Sequence, residues 1–255
     1  MGLVVSSDVF QEAMGNLMLD LENVYCYLDD VIVIGNSTFE DHMKQVDEVL
    51  SRLCAKGMQI HLKKSAWDRD SVEYLGYEIN QNGIKPQDKK IQGMLDLAPP
   101  RNQKELRGFI GMVNFYKNMW PKRSSVLGPL TSMTGKGKKF KCTKIHQKAF
   151  LTMKRMMAKG ALLAFPNFSK KFTLHTDASD LQVGGILSQE GKPIVFFSKK
   201  FTDAQRRYTV TQRELLAIVE SLKHFRNIVF GHEIEVFIDH QNLTYANTDY
   251  SSDRI

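Results

Sequence analysis

Residues 24–34 read Val-Tyr-Cys-Tyr-Leu-Asp-Asp-Val-Ile-Val-Ile, an apolar segment interrupted by two adjacent aspartates. Its β-branched and aromatic residues predict two short strands, with the bend between them at residues 28–30. Neighbouring carboxylates in an apolar hairpin repel each other and lose hydration, so a bound cation would stabilise them. Mg²⁺ serving phosphoryl transfer is one such cation. An exposed Asp-Asp turn is the alternative, because Asp is a common turn residue.

The length of 255 residues fits two domains, or one and a half, with an ample core. The sequence contains no apolar run of transmembrane length, so we expect a soluble intracellular protein with no membrane partner. Its three cysteines lie far apart, and no two of them have the spacing of metal ligands. A disulfide framework or a zinc site is therefore not expected.

The charge of the chain is distributed unevenly. Residues 85–159 contain 18 Lys and Arg but three Asp and Glu, whereas the whole chain contains 35 and 28. A basic middle between acidic flanks predicts a phosphate-binding segment beside acids that bind a metal ion. A solvated basic face is the alternative, although it does not account for so few acids over this length.

The first third of the chain alternates between helical and extended patterns. Apolar residues at helical spacing predict a helix over about 7–21, and a second helix follows the capping pair Thr38 and Asp41. Short strands are expected at residues 60–62 and around residues 74–79. This succession predicts an α+β fold.

A long helix is predicted over residues 103–120, and another over residues 144–159. Gly108 and Gly111 fall inside the first of these helices, where each costs about 1 kcal/mol relative to Ala. Glycines at such positions indicate the close approach of a bulky neighbour. A nucleic-acid backbone is one candidate for that neighbour, and a tightly packed second helix is the alternative.

Three further acids occur in the last third of the chain, where two strands and a helix are predicted. One strand ends at Asp177, the helix over residues 212–230 carries Glu214 in its first turn, and a later strand ends at Asp239. If the two strands are neighbours, the aspartates converge and Glu214 reaches the same point. Three converging carboxylates are oxygen ligands of the kind that hard divalent cations prefer.

Each of these acids also has a structural explanation. Thr211 and Glu214 match a capping box, in which the glutamate only bonds the backbone at the start of the helix. Asp177 and Asp239 could likewise be ordinary acids at strand ends. The three acids together, in this order and on these elements, favour a metal site.

Several segments of the chain resemble a known family. The resemblance to the palm of a reverse transcriptase rests on Tyr27-Leu-Asp-Asp30 and Tyr74-Leu-Gly-Tyr77. A resemblance to the ribonuclease H domain of such enzymes rests on Thr176-Asp-Ala-Ser179, Arg213-Glu-Leu-Leu216 and Ile238-Asp-His-Gln-Asn242. With Phe109-Ile-Gly-Met-Val-Asn-Phe-Tyr116 between them, the chain is similar to Pol of a gypsy-type long-terminal-repeat retrotransposon.

The resemblance implies roles for individual residues. The metal-binding catalytic acids would be Asp29 and Asp30 in the polymerase, and Asp177, Glu214 and Asp239 in the ribonuclease H. Tyr27 would lie under the primer end or the incoming nucleotide, and Lys64 near the leaving pyrophosphate. Further substrate contacts are implied for the primer grip and for the thumb helix along the minor groove, at Tyr74, Gly76, Gly111 and Phe115.

The resemblance also implies the fold, the ligands and the location. We expect an α+β protein with a partial palm (1–84), a helical thumb (85–135), a basic linker and connection helix (136–168) and an α/β ribonuclease H-like domain with a mixed sheet (169–255). The cofactor would be Mg²⁺ or Mn²⁺, and the partners an RNA template, a DNA primer, RNA–DNA hybrid and dNTPs. An intact element would place the protein in a cytoplasmic virus-like particle. The oligomeric state stays open.

Members of this family have polymerase segments, including a first aspartate, before the part that residues 1–10 resemble. They also have a fourth ribonuclease H acid after the part that the chain covers. We therefore expect a fragment with two incomplete active sites. Its function would be RNA-directed DNA polymerase with ribonuclease H activity, by metal-dependent nucleotidyl transfer and hydrolysis. A catalytically inactive nucleic-acid-binding remnant of such a polyprotein is the alternative.

Overall fold

The computed structural model describes residues 5–35, 38–135 and 137–238. The chain divides into two compact units, Met1–Leu75 and Gly76–Ile255. Both units combine helices with strands, which confirms the predicted α+β class. Within the described ranges, no helix has the length and apolar character needed to cross a lipid bilayer.

The first unit is built around a short hairpin. Its elements are α1 (Ser6–Met18), β1 (Val24–Tyr27), β2 (Asp30–Val33), α2 (Phe39–Ala55) and β3 (Ser71–Tyr74). The predicted capping pair is confirmed, because the Thr38 hydroxyl accepts a hydrogen bond from the Asp41 amide. The two helices pack on the hairpin through a small core made of Met14, Met18, Val24, Val49 and Leu53.

The prediction of a strand at residues 60–62 is wrong. This stretch forms a turn, in which the amides of Lys64 and Ser65 donate to the carbonyl oxygen of His61. Leu62 is exposed to solvent. Two apolar residues at alternate positions form a strand only when a partner strand and a core lie beside them, and here neither is present among the described residues.

The second unit begins with the hairpin of β4 (Tyr77–Asn80) and β5 (Gly83–Pro86), followed by α3 (Asp88–Leu95), α4 (Gln103–Phe115), α5 (Arg123–Ser132) and α6 (Lys144–Ala158). The helix predicted over residues 103–120 ends early, because the backbone of Tyr116 leaves the helical region and a 3-10 turn follows at Lys117–Met119. The helices enclose a core that includes Leu106, Val113, Trp120, Leu127, Leu130, Met153 and Met157.

One glycine connects the β4–β5 hairpin to a later segment. Gly83 has φ of +142°, and a Cβ atom added to it would lie 2.0 Å from the carbonyl oxygen of Leu163. Ile84 and Leu163 exchange backbone hydrogen bonds of 2.8 and 2.9 Å in an antiparallel bridge. Only glycine therefore allows the two backbones to approach this closely.

A four-stranded mixed sheet occupies the rest of the second unit, in the order β8 (Lys192–Lys200), β7 (Gln182–Gln189), β6 (Phe172–Ala178) and β9 (Ile234–Phe237). The pairs β6–β7 and β7–β8 are antiparallel, and β6–β9 is parallel. The helix α7 (Val210–Val229) packs on this sheet so closely that a Cβ atom on Gly185 would lie 2.3 Å from Ser221 Oγ.

Candidate active sites

Asp29 and Asp30 lie at the tip of the β1–β2 hairpin. Tyr27 pairs with Asp30, which leaves Leu28 and Asp29 as a two-residue turn. Both aspartates are exposed, and Tyr27 beside them is 54% exposed. The prediction that these two carboxylates lose hydration is therefore wrong, because both are exposed to solvent. The acids are adjacent and accessible, as a metal-binding pair must be.

The turn is strained, and a side chain from α1 holds it. Leu28 has φ of +51°, a conformation that bulky residues rarely adopt and that costs on the order of 1–3 kcal/mol. Its amide donates to Gln11 Oε1 at 2.6 Å, while Gln11 Nε2 donates to the carbonyl oxygen of Cys26 at 3.2 Å. Gln11 therefore fixes the turn from both sides.

Sequence reasoning missed Gln11, although a signal was available. Gln11, Met14 and Met18 follow the spacing i, i+3, i+7 and therefore share one helix face. Met14 and Met18 are buried against the hairpin. A glutamine that continues the buried face of an amphipathic helix needs hydrogen-bond partners, and a strained turn with free amides supplies them.

Two of the implied substrate contacts also lie in the first unit. Burial raises the pKa of the Tyr74 hydroxyl, and the electrostatic effects of Asp30 and Cys26 raise it further. Tyr74 is therefore close to the acid pair. Lys64 lies in the exposed turn at residues 61–65. Among the described residues, no ion pair joins Lys64 to Asp29 or Asp30.

Gly76 and Phe115 are brought together in the second unit. A Cβ atom on Gly76, which has φ of +86°, would lie 3.1 Å from the Phe115 ring. The Tyr116 hydroxyl donates to the Gly76 carbonyl oxygen at 2.8 Å, and Tyr77 stacks on Phe115 with ring centroids 5.8 Å apart. These aromatic contacts fasten the segment at Gly76 to the end of α4.

One face of α4 is open along its length. Lys104, Gly108, Gly111 and Phe115 follow the spacing i, i+4, i+7, i+11, and all four are exposed. No atom of the described residues lies within 4 Å of a Cβ atom added to either glycine. The alternative of a tightly packed second helix is therefore not supported. A basic residue, two bare backbone positions and an aromatic ring form a surface that a phosphate backbone can approach closely.

Asp177 lies near the end of β6, and its side chain is about half exposed. Its Oδ2 atom forms an ion pair with Lys122 Nζ at 2.8 Å. Sequence reasoning also missed Lys122, which precedes α5. No local pattern could have found it, because the contact depends on how α5 packs against the sheet.

The proposed capping box of Thr211 and Glu214 is wrong. The helix α7 begins two residues earlier, with Thr209 as its N-cap and Gln212 as the reciprocal partner in the capping box. The Thr209 hydroxyl accepts from the Gln212 amide at 3.3 Å, and Gln212 Oε1 accepts from the Thr209 amide at 3.0 Å. The capping box of α7 is thus formed by Thr209 and Gln212, and Glu214 is buried, with 3% of its surface exposed.

The sequence reasoning required a neighbouring strand for the strand of Asp177, and β9, which ends at Phe237, is that neighbour. β6 and β9 pair in parallel, with Phe172 opposite Ile234 and His175 opposite Phe237. The helix that carries Glu214 packs against β6 and β7. Asp239 lies outside the described residues.

The donor groups at both sites fit a hard divalent cation. Asp29 and Asp30 offer adjacent accessible oxygens, and Asp177 already holds a cationic ammonium group at its carboxylate. Within the residues that the structure describes, no three His, Cys, Asp or Glu side chains gather as a metal-binding group.

Comparisons with known proteins identify two domain families in the chain. The family profile of reverse transcriptase (RNA-dependent DNA polymerase) matches residues 1–79. The profile of the RNase H-like domain found in reverse transcriptase matches residues 143–236. Each of the two profiles therefore covers one of the candidate sites.

The chain is also similar to curated polyproteins. It is 33% identical over 249 residues to the retrovirus-related Pol polyprotein from transposon 297 of Drosophila melanogaster, covering 96% of this chain and 23% of that protein. It is 35% identical over 236 residues to the transposon Tf2-3 polyprotein of Schizosaccharomyces pombe, covering 90% of this chain and 18% of that protein. The chain spans about a fifth of the length of these relatives.

Solved structures show the same fold. A foamy viral protease-reverse transcriptase in complex with double-stranded DNA matches with a TM-score of 0.84 and 26% identity, over 94% of this chain and 43% of that one. A foamy viral protease-reverse transcriptase in complex with RNA/DNA hybrid matches with a TM-score of 0.83 and 25% identity, over 97% and 34%. The chain therefore belongs to the reverse transcriptase family of retrotransposon Pol polyproteins, and it carries both a reverse-transcriptase domain and a ribonuclease H-like domain.

Proposed function

We propose that this chain supplies part of an RNA-directed DNA polymerase with ribonuclease H activity in a retrotransposon Pol polyprotein. The observation that carries the proposal is the exposed Asp29-Asp30 pair at the tip of a strained hairpin turn. Strain of this kind persists only where the surrounding structure enforces it, and it is typical of functional sites. A retroelement polyprotein of this type would work inside the cell, in a cytoplasmic particle.

The polymerase residues divide into ligands and positioning groups. Bound to Asp29 and Asp30, Mg²⁺ or Mn²⁺ would stabilise the attacking and leaving oxygens of nucleotidyl transfer. Gln11 holds the turn that presents both acids. The exposed ring of Tyr27 offers a flat surface to the primer end or the incoming dNTP. Lys64, on its exposed turn, is proposed to meet the leaving pyrophosphate.

The second unit supplies the nucleic-acid grip. The open face of α4 at Gly108, Gly111 and Phe115 can approach a duplex groove without a steric barrier. Residues 85–159 add a strongly basic charge that attracts phosphates. Because the similar foamy viral enzymes bind double-stranded DNA and RNA/DNA hybrid, we take RNA template, DNA primer and their hybrid as the ligands of this surface.

The ribonuclease H-like sheet would supply the hydrolytic site. Asp177 on β6 and Glu214 on α7 are the described acids of that site, and Asp239 is the third residue that we assign to it. Glu214 is buried and takes no part in the capping box of its helix. A carboxylate oxygen is the type of ligand that a hard divalent cation prefers, and this chemistry supports the assignment of Glu214 to the site.

The experiment that tests the polymerase assignment is primer extension on an RNA template. The chain is assayed in a chimera whose remaining polymerase segments come from the transposon 297 relative. Asp29→Asn/Asp30→Asn should lower DNA synthesis by several orders of magnitude, because the metal ligands lose their charge. Asp68→Asn, which neutralises an exposed aspartate in the same unit, is the matched control and should retain activity. Near-normal extension by the double variant would disprove the assignment.

A nucleic-acid-binding remnant without catalysis is the second candidate function. It is favoured by the open face of α4, which requires none of the acids. Such a remnant would bind hybrid with an affinity that falls steeply with salt, yet neither extend a primer nor cleave RNA in the same chimera. Extension that depends on Asp29 and Asp30 would exclude this candidate.

A further inference from the structure

A cation from another part of the chain already lies against Asp177. Lys122 Nζ is 2.8 Å from Asp177 Oδ2, and both side chains are more than half exposed. Lys122 belongs to the predicted thumb, immediately before α5, whereas Asp177 belongs to the ribonuclease H-like sheet. The ion pair therefore connects the thumb to a proposed metal ligand.

The backbone that carries Lys122 is anchored independently of this ion pair. Lys122 adopts a left-handed conformation, with φ of +50°, at the N-cap of α5. Two residues later, the Ser124 amide donates to Ser198 Oγ at 3.0 Å, and the Ser124 hydroxyl donates to Gln182 Oε1 at 2.5 Å. Ser198 and Gln182 are both buried in the sheet. The location of Lys122 is therefore set by packing and not by its own charge.

We propose that Lys122 is a resident counter-cation that competes with the divalent metal ion for Asp177 and is drawn away by the phosphates of a bound RNA–DNA hybrid. The inference rests on the proposed function, because it takes Asp177 to be a metal ligand. An ammonium group beside a carboxylate repels an incoming divalent cation and occupies one of the oxygens that the cation needs.

The chemistry of lysine allows a bound hybrid to break this ion pair. The ammonium is a compact charge on a flexible stem, so it can exchange a carboxylate for a phosphate while its anchored backbone stays in place. Binding of the duplex would then strengthen metal binding at Asp177. Without the duplex, metal binding would stay weak. If the ion pair is instead an ordinary surface contact, it contributes little and leaves metal binding unaffected.

The test measures Mn²⁺ binding by electron paramagnetic resonance, in the 255-residue chain carrying Asp29→Asn/Asp30→Asn so that the polymerase pair does not contribute. Lys122→Gln should lower the Mn²⁺ dissociation constant by about three- to tenfold, because the competing charge is gone. Lys122→Arg keeps the charge and should match the parent chain. Lys223→Gln removes another exposed lysine, on α7, and controls for net charge.

Asp177→Asn separates this inference from the proposed function. If Asp177→Asn weakens Mn²⁺ binding but Lys122→Gln leaves it unchanged, the role of Lys122 is overturned and the metal site stands. If Asp177→Asn has no effect, the proposed site fails, and the inference fails with it. Equal gains in Lys122→Gln and Lys223→Gln would reveal a long-range charge effect and would also overturn the role of Lys122.

A second measurement tests the coupling to nucleic acid. Addition of RNA–DNA hybrid should tighten Mn²⁺ binding severalfold more in the parent chain than in Lys122→Gln, because only the parent has a competitor to displace. Equal tightening in both proteins would overturn the exchange of Lys122 between carboxylate and phosphate. Thermal unfolding of each variant establishes that the fold is intact.

Discussion

The two candidate sites position their acidic side chains in opposite ways. Asp29 and Asp30 stand on an exposed turn of two residues, and the side chain of Gln11 holds that turn. Asp177 lies on a paired strand, and Glu214 is buried in a 20-residue helix packed against it. The Asp29-Asp30 pair thus lies on a short turn, whereas the positions of Asp177 and Glu214 depend on the packing of α7 against the sheet. Mutations should therefore affect the two sites differently.

The largest expected effect separates chemistry from folding at Glu214. Glu214→Gln keeps the size of the side chain but removes the charge that a divalent cation requires. In a chimera completed with segments of the transposon 297 relative, cleavage of RNA in hybrid should fall by orders of magnitude. Melting temperature should change little.

Thr209→Ala is the matched control for that variant. It removes the N-cap of α7 and should lower stability by about 1 kcal/mol while leaving cleavage intact. A Glu214→Gln protein that cleaves at the full rate would remove Glu214 from the site. The contrast between the two candidate sites would then no longer include Glu214, and its buried carboxylate would need a structural explanation.

The next effect tests whether the polymerase turn depends on one side chain. Gln11→Met removes both hydrogen bonds to the turn, and stability should fall by about 1–2 kcal/mol. Primer extension in the chimera should fall by about ten- to a hundredfold, because a small displacement of the acids disturbs their geometry. The matched control is Glu12→Met on the exposed side of the same helix, which should leave extension unchanged.

A second substitution at the same turn sharpens this test. Leu28→Gly adopts positive φ without steric cost, so it should restore part of the stability lost in Gln11→Met. If the double variant is no more stable than Gln11→Met alone, strain at Leu28 is not what Gln11 opposes.

The smallest effect concerns binding without chemistry. Gly111→Ala should stabilise α4 by about 1 kcal/mol, because the added methyl group meets no atom and alanine favours the helix. Binding of hybrid should nevertheless weaken severalfold, because the methyl group keeps the duplex from the backbone. Stability and affinity would thus change in opposite directions.

Gly93→Ala in α3 is the matched control for the thumb variant. Gly93 also lies in a helix with open space around its Cβ position. Its substitution should raise stability to a similar extent and leave the affinity for hybrid unchanged. If Gly111→Ala binds as tightly as Gly93→Ala does, the open face of α4 is not the surface that contacts the duplex.

Local features of the fold could be predicted from the sequence. The hairpin at Asp29 and Asp30 and the cap at Thr38 depend on a few adjacent residues, and the structure contains both of them. The ends of helices were harder to predict, because tertiary packing determines where a helix ends. Tyr116 ends α4 where its hydroxyl finds the Gly76 carbonyl oxygen, a contact between residues far apart in the sequence.

The candidate sites show the same division. Pattern and resemblance together indicated the candidate acids, and the structure describes four of them, Asp29, Asp30, Asp177 and Glu214. The contacts of Gln11 and Lys122 with these sites are harder to predict, because each contact joins residues far apart in the sequence. For Gln11 the buried face of α1 gave a signal, whereas no local pattern indicated Lys122. The capping box was misplaced by two residues for a related reason, since two threonines, Thr209 and Thr211, compete for one helix start.

Under the proposed function, the close backbone contact between Gly83 and Leu163 affects the length of the RNA products. Backbone hydrogen bonds join Ile84 on β5 to Leu163, and Ala164 to Pro193 on β8. The β4–β5 hairpin and the four-stranded sheet therefore form one continuous scaffold. A duplex held at Phe115 would therefore meet Asp177 after a constant number of base pairs. Under the proposed function, RNA would then be cut into pieces of uniform size, and a bulkier residue at position 83 would make those sizes less uniform.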